Sequence, residues 1–332
     1  MFRKNLPKHG YTSAETIRRN YKINQHNRWA SVNPKHEFTA QNRFAQDFFH
    51  CASNVNGQKR FSRDSKVFTM GSCFARYIEI ALRENKISVL SDKLSIDPSL
   101  YTGPRSASAA LNKFNIPSMK NEFLKSFGHL EINGDPFIKV RDDQYFDTST
   151  AGLILAPYDV LLSLQYQIAE FNKQILEADL FVCTLGLVEM FVDNETGCVL
   201  NTSPHPLCMK KYRGRFDHFR PDYGYLRTEL ADMLDFLAEV NPSLEVVLTV
   251  SPVPLQSTMT SDDVVVSNTF SKSLLRVLAQ EASEERDNVS YFPSFEMVMN
   301  SPRGLTWEDD CIHVRSEVVK LVTNSFIANW FH

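Results

Sequence analysis

The chain predicts a doubly wound α/β fold: three layers, α/β/α, around a five-stranded parallel sheet, with a basic extension at the N-terminus. Two observations carry this. Short apolar runs of strand length alternate with longer segments whose apolar residues recur at helical spacing, the pattern of a parallel sheet covered by helices. Glycine is scarce, at 12 of 332 residues, which argues against a many-stranded barrel built on tight turns. Ordinary globular composition, 43% hydrophobic and 23% charged, excludes a disordered, coiled-coil or collagen-like chain. The length would suit two domains, but one α/β fold can absorb most of it. The expected division is a partly helical basic arm and linker over residues 1–60 and one folded domain over 61–332.

The elements follow in order. Thr12-Ser13-Ala14-Glu15 fits a capping box opening a short helix with Ile17 and Tyr21 on one face. Lys66–Met70 is the first strand and Cys73–Asn85 the helix after it. Lys86–Leu90 is the second strand, and Ser106–Phe114 is expected to be helical. Residues 120–150 read as polar and irregular, with Asn133-Gly134 as a hairpin turn. Leu161, Leu164, Ile168, Phe171 and Ile175 mark a long helix near 158–177. Asp179–Leu185 is strand three. A hairpin of Met190–Val192 against Cys198–Leu200 comes next, then a helix marked by Leu226, Leu230, Met233, Leu234 and Leu237. Glu245–Val250 is strand four, Val264–Glu285 a helix, Val289–Phe292 strand five, and about Ser316 to Trp330 the last helix.

In such sheets ligands bind beyond the carboxyl ends of the strands. The residues there are Gly71-Ser72, Asp97 to Gly103, Gly186 and Glu189, Ser251, Tyr291 to Glu296, and then Asp309, Asp310 and His313. Ser72, where a strand turns into a helix, sits at the positive end of the helix dipole and could gain an oxyanion donor from its own amide. Serine is equally one of the best helix N-caps, which is the plainer reading of that position. Cys73, one position on, is expected to point into the core as a small hydrophobe. His313 enters the last helix with Asp310 three residues earlier, so a general base and the acid that orients it can be close; a surface histidine capping a helix has the same spacing. His205, Cys208 and His218 fit no standard zinc pattern, and no metal is expected. No GxGxxG or Walker loop is present, so no nucleotide cofactor is expected either.

Charge is segregated. Residues 1–36 hold eight Lys or Arg and one acid, Glu15, for +7; with −3 overall, the remainder carries −10. The arm is either a strap on the chain's own acidic body or a contact for an anionic partner, a membrane surface or a phosphorylated glycan carrier. Nucleic acid is disfavoured by the acidic body and the lack of a recognition motif. Six cysteines without CxxC read as reduced cytoplasmic thiols. Neither a secretory signal nor a transmembrane stretch is expected.

Several blocks together resemble one family. Gly71-Ser72-Cys73-Phe74-Ala75 spells the GSCFA signature. Thr184-Leu185-Gly186-Leu187-Val188-Glu189 looks like that family's TLGxxE block, and Leu248 to Leu255 looks like its LTVSPVPL block. Ser271-Lys272 with Leu275-Arg276 resembles its SKxxLR helix, Tyr291 to Glu296 its YFPSYE block, and Asp310-Cys311-Ile312-His313 its DxxH ending. These blocks run in order across roughly residues 66–325, which leaves the arm and residues 37–65 outside. The GSCFA-domain family is similar to the SGNH (GDSL-like) hydrolases. The resemblance implies an SGNH-like fold with Ser72 as nucleophile, His313 as base and Asp310 orienting it, Ser72 and His313 meeting within about 4 Å. Where SGNH enzymes place an oxyanion-donating asparagine, this chain has Val188, followed by Glu189. Gly103 is the nearest second-block glycine. Either Asn201 or Asn268 then supplies that donor or the site is weaker than a standard esterase, with Gly186, Glu189 and Ser251 around the substrate.

The implied function is a serine acyl-ester hydrolase or acyltransferase on an acylated carbohydrate or polysaccharide precursor, through an acyl-Ser72 intermediate and, for transfer, with a separate acyl donor. The contrasting expectation is a non-catalytic glycan- or partner-binding module on a degenerate fold of the same kind.

Overall fold

A computed structural model describes residues 13–33, 35–51, 60–90, 94, 96–101 and 107–332. Helices α1 (Ala14–Ile23) and α2 (Ala40–Phe44) precede β1 (Lys66–Gly71), α3 (Cys73–Glu84), β2 (Ser88–Val89), α4 (Ile116–Ser126), β3 (Phe137–Arg141), β4 (Gln144–Asp147) and α5 (Tyr158–Asn172). After them come β5 (Leu180–Leu185), β6 (Met190–Asp193), α6 (Pro206–Lys211), β7 (Phe216–Phe219), α7 (Tyr223–Val240), β8 (Glu245–Val250), α8 (Val264–Glu285), β9 (Val289–Tyr291), α9 (Ser294–Met299), α10 (Arg303–Thr306) and α11 (Ser316–Trp330).

The central sheet has five parallel strands in the order β2-β1-β5-β8-β9. The chain winds one way from β1 to β2 and the other way from β5 to β9. The order therefore reverses between β1 and β5, and the loops leaving those strands part to open a crevice at their carboxyl ends. Alternation along the strands fills both faces. Phe68, Met70, Phe181, Cys183 and Leu248 pack with apolar residues of α4, α5, α7 and α8. Val67, Val182 and Val247 pack on the other face with Phe74, Ile78 and Leu82 of α3 and with α9 and α11. Helices on both faces make this the three-layer α/β/α fold that the sequence predicts.

The differences from expectation are local. Residues 107–111 form only a short 3₁₀ turn, and the helix comes later, as α4, which runs into the start of the stretch read as irregular. Asn115 caps it by accepting from the Ser118 amide at 2.9 Å, and Pro117 lies in its first turn, where its missing N–H costs nothing. The hairpin in this region is β3/β4, turning at Asp142-Asp143 with Asp142 at φ +38°, not at Asn133-Gly134. Strand β6 takes β7 as its antiparallel partner, and Val199 reaches it only through one bridge, to Val192. Helix α1 is capped by Ser13 rather than Thr12.

Helix α1 buries none of its residues. The chain joins the body further on, where Phe48 and Phe49 are buried and the Phe49 amide donates to Ser301 Oγ at 2.9 Å. Among the described residues no helix is long and apolar enough to cross a membrane.

The load on the two regions should differ accordingly. Phe68 is fully buried, its ring 5.5–6.2 Å from those of Phe123, Phe171 and Phe181. Phe68→Ala should cost about 3–5 kcal/mol in urea unfolding. Ile17→Ser on α1 should stay within about 0.5 kcal/mol of the native chain.

Candidate active site

Two glycines set the geometry. Gly71 ends β1 at φ +140°, and a Cβ there would stand 2.2 Å from the Thr184 carbonyl oxygen on β5. No other residue type tolerates both that angle and that contact. Gly186, just beyond β5, is also tightly packed: a Cβ there would meet the Phe114 carbonyl at 2.7 Å and Ser72 Cβ at 3.4 Å. Ser72 is thus seated where the chain turns from β1 into α3, against the backbone of the neighbouring strand.

Ser72 holds the N-cap position of α3 but makes no side-chain capping bond. It is 5% exposed, and its Oγ has no hydrogen-bond partner. Its amide donates to the Thr184 carbonyl at 3.2 Å, which occupies the N–H expected from the sequence to serve an oxyanion. Ser72 opens on a cavity of about 420 Å³. Cys73, Gly186, Glu189, Asn201, His218, Ser251 and His313 also line it. Cys73 is therefore not in the core. It is partly exposed, and Asn112 Nδ2 approaches its Sγ at 3.5 Å.

His313 stands at the cavity mouth, its side chain 43% exposed. Asp310 folds back on it: Oδ2 lies 2.5 Å from His313 Nδ1, and Oδ1 accepts from the amides of Ile312 and His313, both at 2.9 Å. Those two amides, followed by the ring, push the Asp310 carboxyl down to about 2. The tight turn has Cys311 at φ +57° and is closed by the Glu308 amide donating to the His313 carbonyl at 2.8 Å. With Nδ1 held by the carboxylate, Nε2 is the nitrogen left to exchange a proton. No hydrogen bond joins Ser72 Oγ to His313.

The remaining expected residues divide by role. Asn201 is buried and fully engaged: Oδ1 accepts from the Phe114 amide at 2.8 Å and Ser118 Oγ at 3.1 Å, and Nδ2 donates to the Asn112 carbonyl at 2.8 Å. Its amide braces the floor loop 112–115. Asn268 does not line the cavity; its Oδ1 accepts from the Leu255 amide at 3.0 Å and so holds the loop after β8. Ser251 lines the cavity with a buried Oγ that has no partner. Glu189 ties down that same loop, accepting from Thr258 Oγ1 at 2.7 Å and the Met259 amide at 3.0 Å. Gly103 lies outside the described residues.

Sequence reasoning missed three contributors. His218 on β7 places Nε2 3.4 Å from Glu189 Oε2, both side chains largely buried in the cavity wall. Lys113 pins the floor loop: its amide donates to the Gly71 carbonyl at 2.9 Å and its ammonium to Glu122 and the Ser149 carbonyl. Burial alone would raise the Glu122 carboxyl, but Lys113 and Lys125 outweigh it and hold it at about 2. Lys272 is 2% exposed and gives its ammonium to the Gly186 carbonyl at 2.8 Å. A signal for Lys272 was present, since it falls in the core register of α8 with Leu275 and Ala279. Among the described residues no three His, Cys, Asp or Glu side chains are grouped to hold a metal ion.

A family model, that of the GSCFA family, matches residues 66–326. The match spans well over half of the chain and every residue placed above around the cavity, so the chain belongs to the GSCFA family. No curated protein sequence matches the chain.

Lys272 gives the site a measurable pH signature. Burial pushes its ammonium down to about 7. In the unfolded chain a lysine keeps its proton to about 10.4. Between those values the unfolded chain binds a proton that the folded one does not, so the native chain gains stability as pH rises, while below about 7 the penalty is constant. The stability difference between the native chain and Lys272→Met should move in favour of the native chain from pH 7 to 10. Urea unfolding at several pH values reads this directly; parallel curves would contradict it.

Proposed function

We propose that this GSCFA-family chain is a serine acyl-transfer enzyme, an ester hydrolase or O-acyltransferase acting on an acylated carbohydrate. The observation that carries the reading is Ser72: a buried hydroxyl without a partner, at the N-terminus of α3, facing a cavity that His313 also lines. Leaving a buried hydroxyl unbonded costs about 1–3 kcal/mol, a cost that a structural cap would not carry.

In this mechanism Ser72 Oγ attacks the acyl carbonyl carbon while its proton passes to His313 Nε2. The positive ring is stabilised by Asp310 through Nδ1. The tetrahedral oxyanion forms near the positive end of the α3 dipole. Collapse of the intermediate breaks the ester C–O bond, and the departing alcohol takes the proton from His313. The acyl-Ser72 ester then passes its acyl group to water or to a sugar hydroxyl, which His313 deprotonates in turn. Glu189 retains lone pairs beyond its bonds to Thr258 and Met259, and His218 Nε2 has no hydrogen-bond partner. Such a pair in the wall suits the hydroxyls of a sugar. Phe114, Leu187, Met190 and Leu255 give the same cavity an apolar side for the acyl group.

A second reading, a non-catalytic glycan-binding module, is favoured by the engaged Ser72 amide and the missing Ser72–His313 bond. Turnover of a p-nitrophenyl ester series separates the two. The enzyme reading expects measurable turnover that Ser72→Ala abolishes, that His313→Ala lowers by about 10²–10⁴-fold, and that Cys73→Ala largely keeps. Absence of turnover with retained sugar binding would favour the module. Loss on Cys73→Ala with retention on Ser72→Ala would make the chain a thiol enzyme.

A further inference from the structure

The arm ahead of the sheet is presented to solvent in a fixed arrangement. On α1, Ile17 and Tyr21 lie one turn apart and are 55% and 53% exposed. Arg18, Arg19 and Lys22 occupy the adjoining face, with Glu15 as the helix's one acid. Beyond α1, Trp29 is 75% exposed and Val32 is fully so. These residues are tethered. Asn27 Nδ2 donates to the Tyr21 carbonyl at 2.8 Å, and the Arg28 guanidinium stacks 4.8 Å over the Tyr21 ring. The amides of Ala40 and Gln41 donate to the carbonyls of Arg28 and Trp29, at 3.1 and 2.9 Å. The segment that follows is anchored by Phe48 and Phe49.

An arm of +7 attached to a body of −10 would be expected to lie down on its own acids. Its described part, from Ser13 on, does not. Among the described residues, Arg18, Arg19, Lys22 and Arg28 form no ion pair, and α1 buries nothing. Arg18, Arg19 and Lys22, with Ile17 and Trp29, stay available to something else.

We infer that α1 and the Trp29 segment dock on an anionic lipid bilayer surface. The chemistry is complementary on both counts: clustered cations meet the headgroup charge, while Ile17, Tyr21 and Trp29 enter the boundary between headgroups and acyl chains. A nucleic-acid duplex would use the cations alone and leave the apolar residues exposed. With only ten residues in α1, attachment is reversible and sensitive to salt. This surface is independent of the Ser72 cavity, so its test stands whether or not the chain turns over esters.

The chain carries its own probe. Of its three tryptophans, Trp307 and Trp330 are buried and Trp29 is exposed, so fluorescence changes on docking report the arm. The full-length chain is mixed at low and high salt with vesicles of phosphatidylcholine alone or of phosphatidylcholine with phosphatidylserine. Expected are co-sedimentation and a blue-shifted Trp29 emission with the phosphatidylserine vesicles at low salt, both lost at high salt and absent with phosphatidylcholine alone. Each cation removed should weaken binding by about fivefold, so Arg18→Glu, Arg19→Glu and Lys22→Glu together should weaken it at least about a hundredfold. Absence of binding to phosphatidylserine vesicles, or binding that survives the charge reversal, would each overturn the proposal.

Discussion

The site depends on the approach of the β1 and β5 backbones at their carboxyl ends, an approach that only glycine permits. Gly71 lets the chain turn at φ +140° within 2.2 Å, measured from an imagined Cβ, of the Thr184 carbonyl. Gly186 lets the next loop pass between Ser72 and Phe114. Because these two strands flank the point where the sheet reverses its winding, the closest packing in the region borders its natural crevice. Ser72 emerges from that junction facing the opening. The supports reach outward from the same place: Lys113 bonds back to the Gly71 carbonyl, and Lys272 holds the Gly186 carbonyl from behind.

Polar satisfaction separates the site from the scaffold. Many buried polar groups of the scaffold are paired: Thr249 Oγ1 bonds to the Phe292 carbonyl and Ser294, and Asn241 Nδ2 caps the Ile175 and Ala178 carbonyls, although Ser271 Oγ and the Tyr223 hydroxyl are buried without partners. Along the ends of β1, β5 and β8, Ser72 Oγ, Thr184 Oγ1 and Ser251 Oγ are buried without partners. The family blocks divide along the same line. GSCFA, TLGxxE and VSPVPL form the cavity. The SKxxLR and YFPSFE blocks build a clamp in which Arg276 stacks 3.9 Å over Tyr291 while both bond to Glu296, at 2.6 and 2.7 Å. Burial and then the Glu296 charge push the Tyr291 phenol up, which keeps it a neutral donor in that clamp.

The sheet was legible because its strands are apolar on both faces, and α3, α5, α7, α8 and α11 because each buries a stripe of helical period. Helix α4 was hidden by its composition. Its first turn contains Pro117, and its buried apolar residues Ile116, Met119 and Phe123 are interleaved with buried Ser118, Glu122 and Ser126, so its apolar stripe is short and broken by polar residues. The β6/β7 pairing spans a long excursion through α6, and a single sequence favours the nearer partner, Val199. Ser72, Asp310 and His313 could be chosen from position beyond the strands. His218 and Lys113 could not, since each gains its place only through contacts distant in sequence: Glu189 for one, Gly71 and Glu122 for the other.

The most direct test of the central claim is covalent. The full-length chain is treated with a fluorophosphonate, and the modified residue is located by peptide mass spectrometry. A hydroxyl activated by His313 should carry the adduct on Ser72, and His313→Ala should lose it while remaining folded. An adduct elsewhere, or none on a folded native chain, would contradict the assignment of Ser72 as nucleophile.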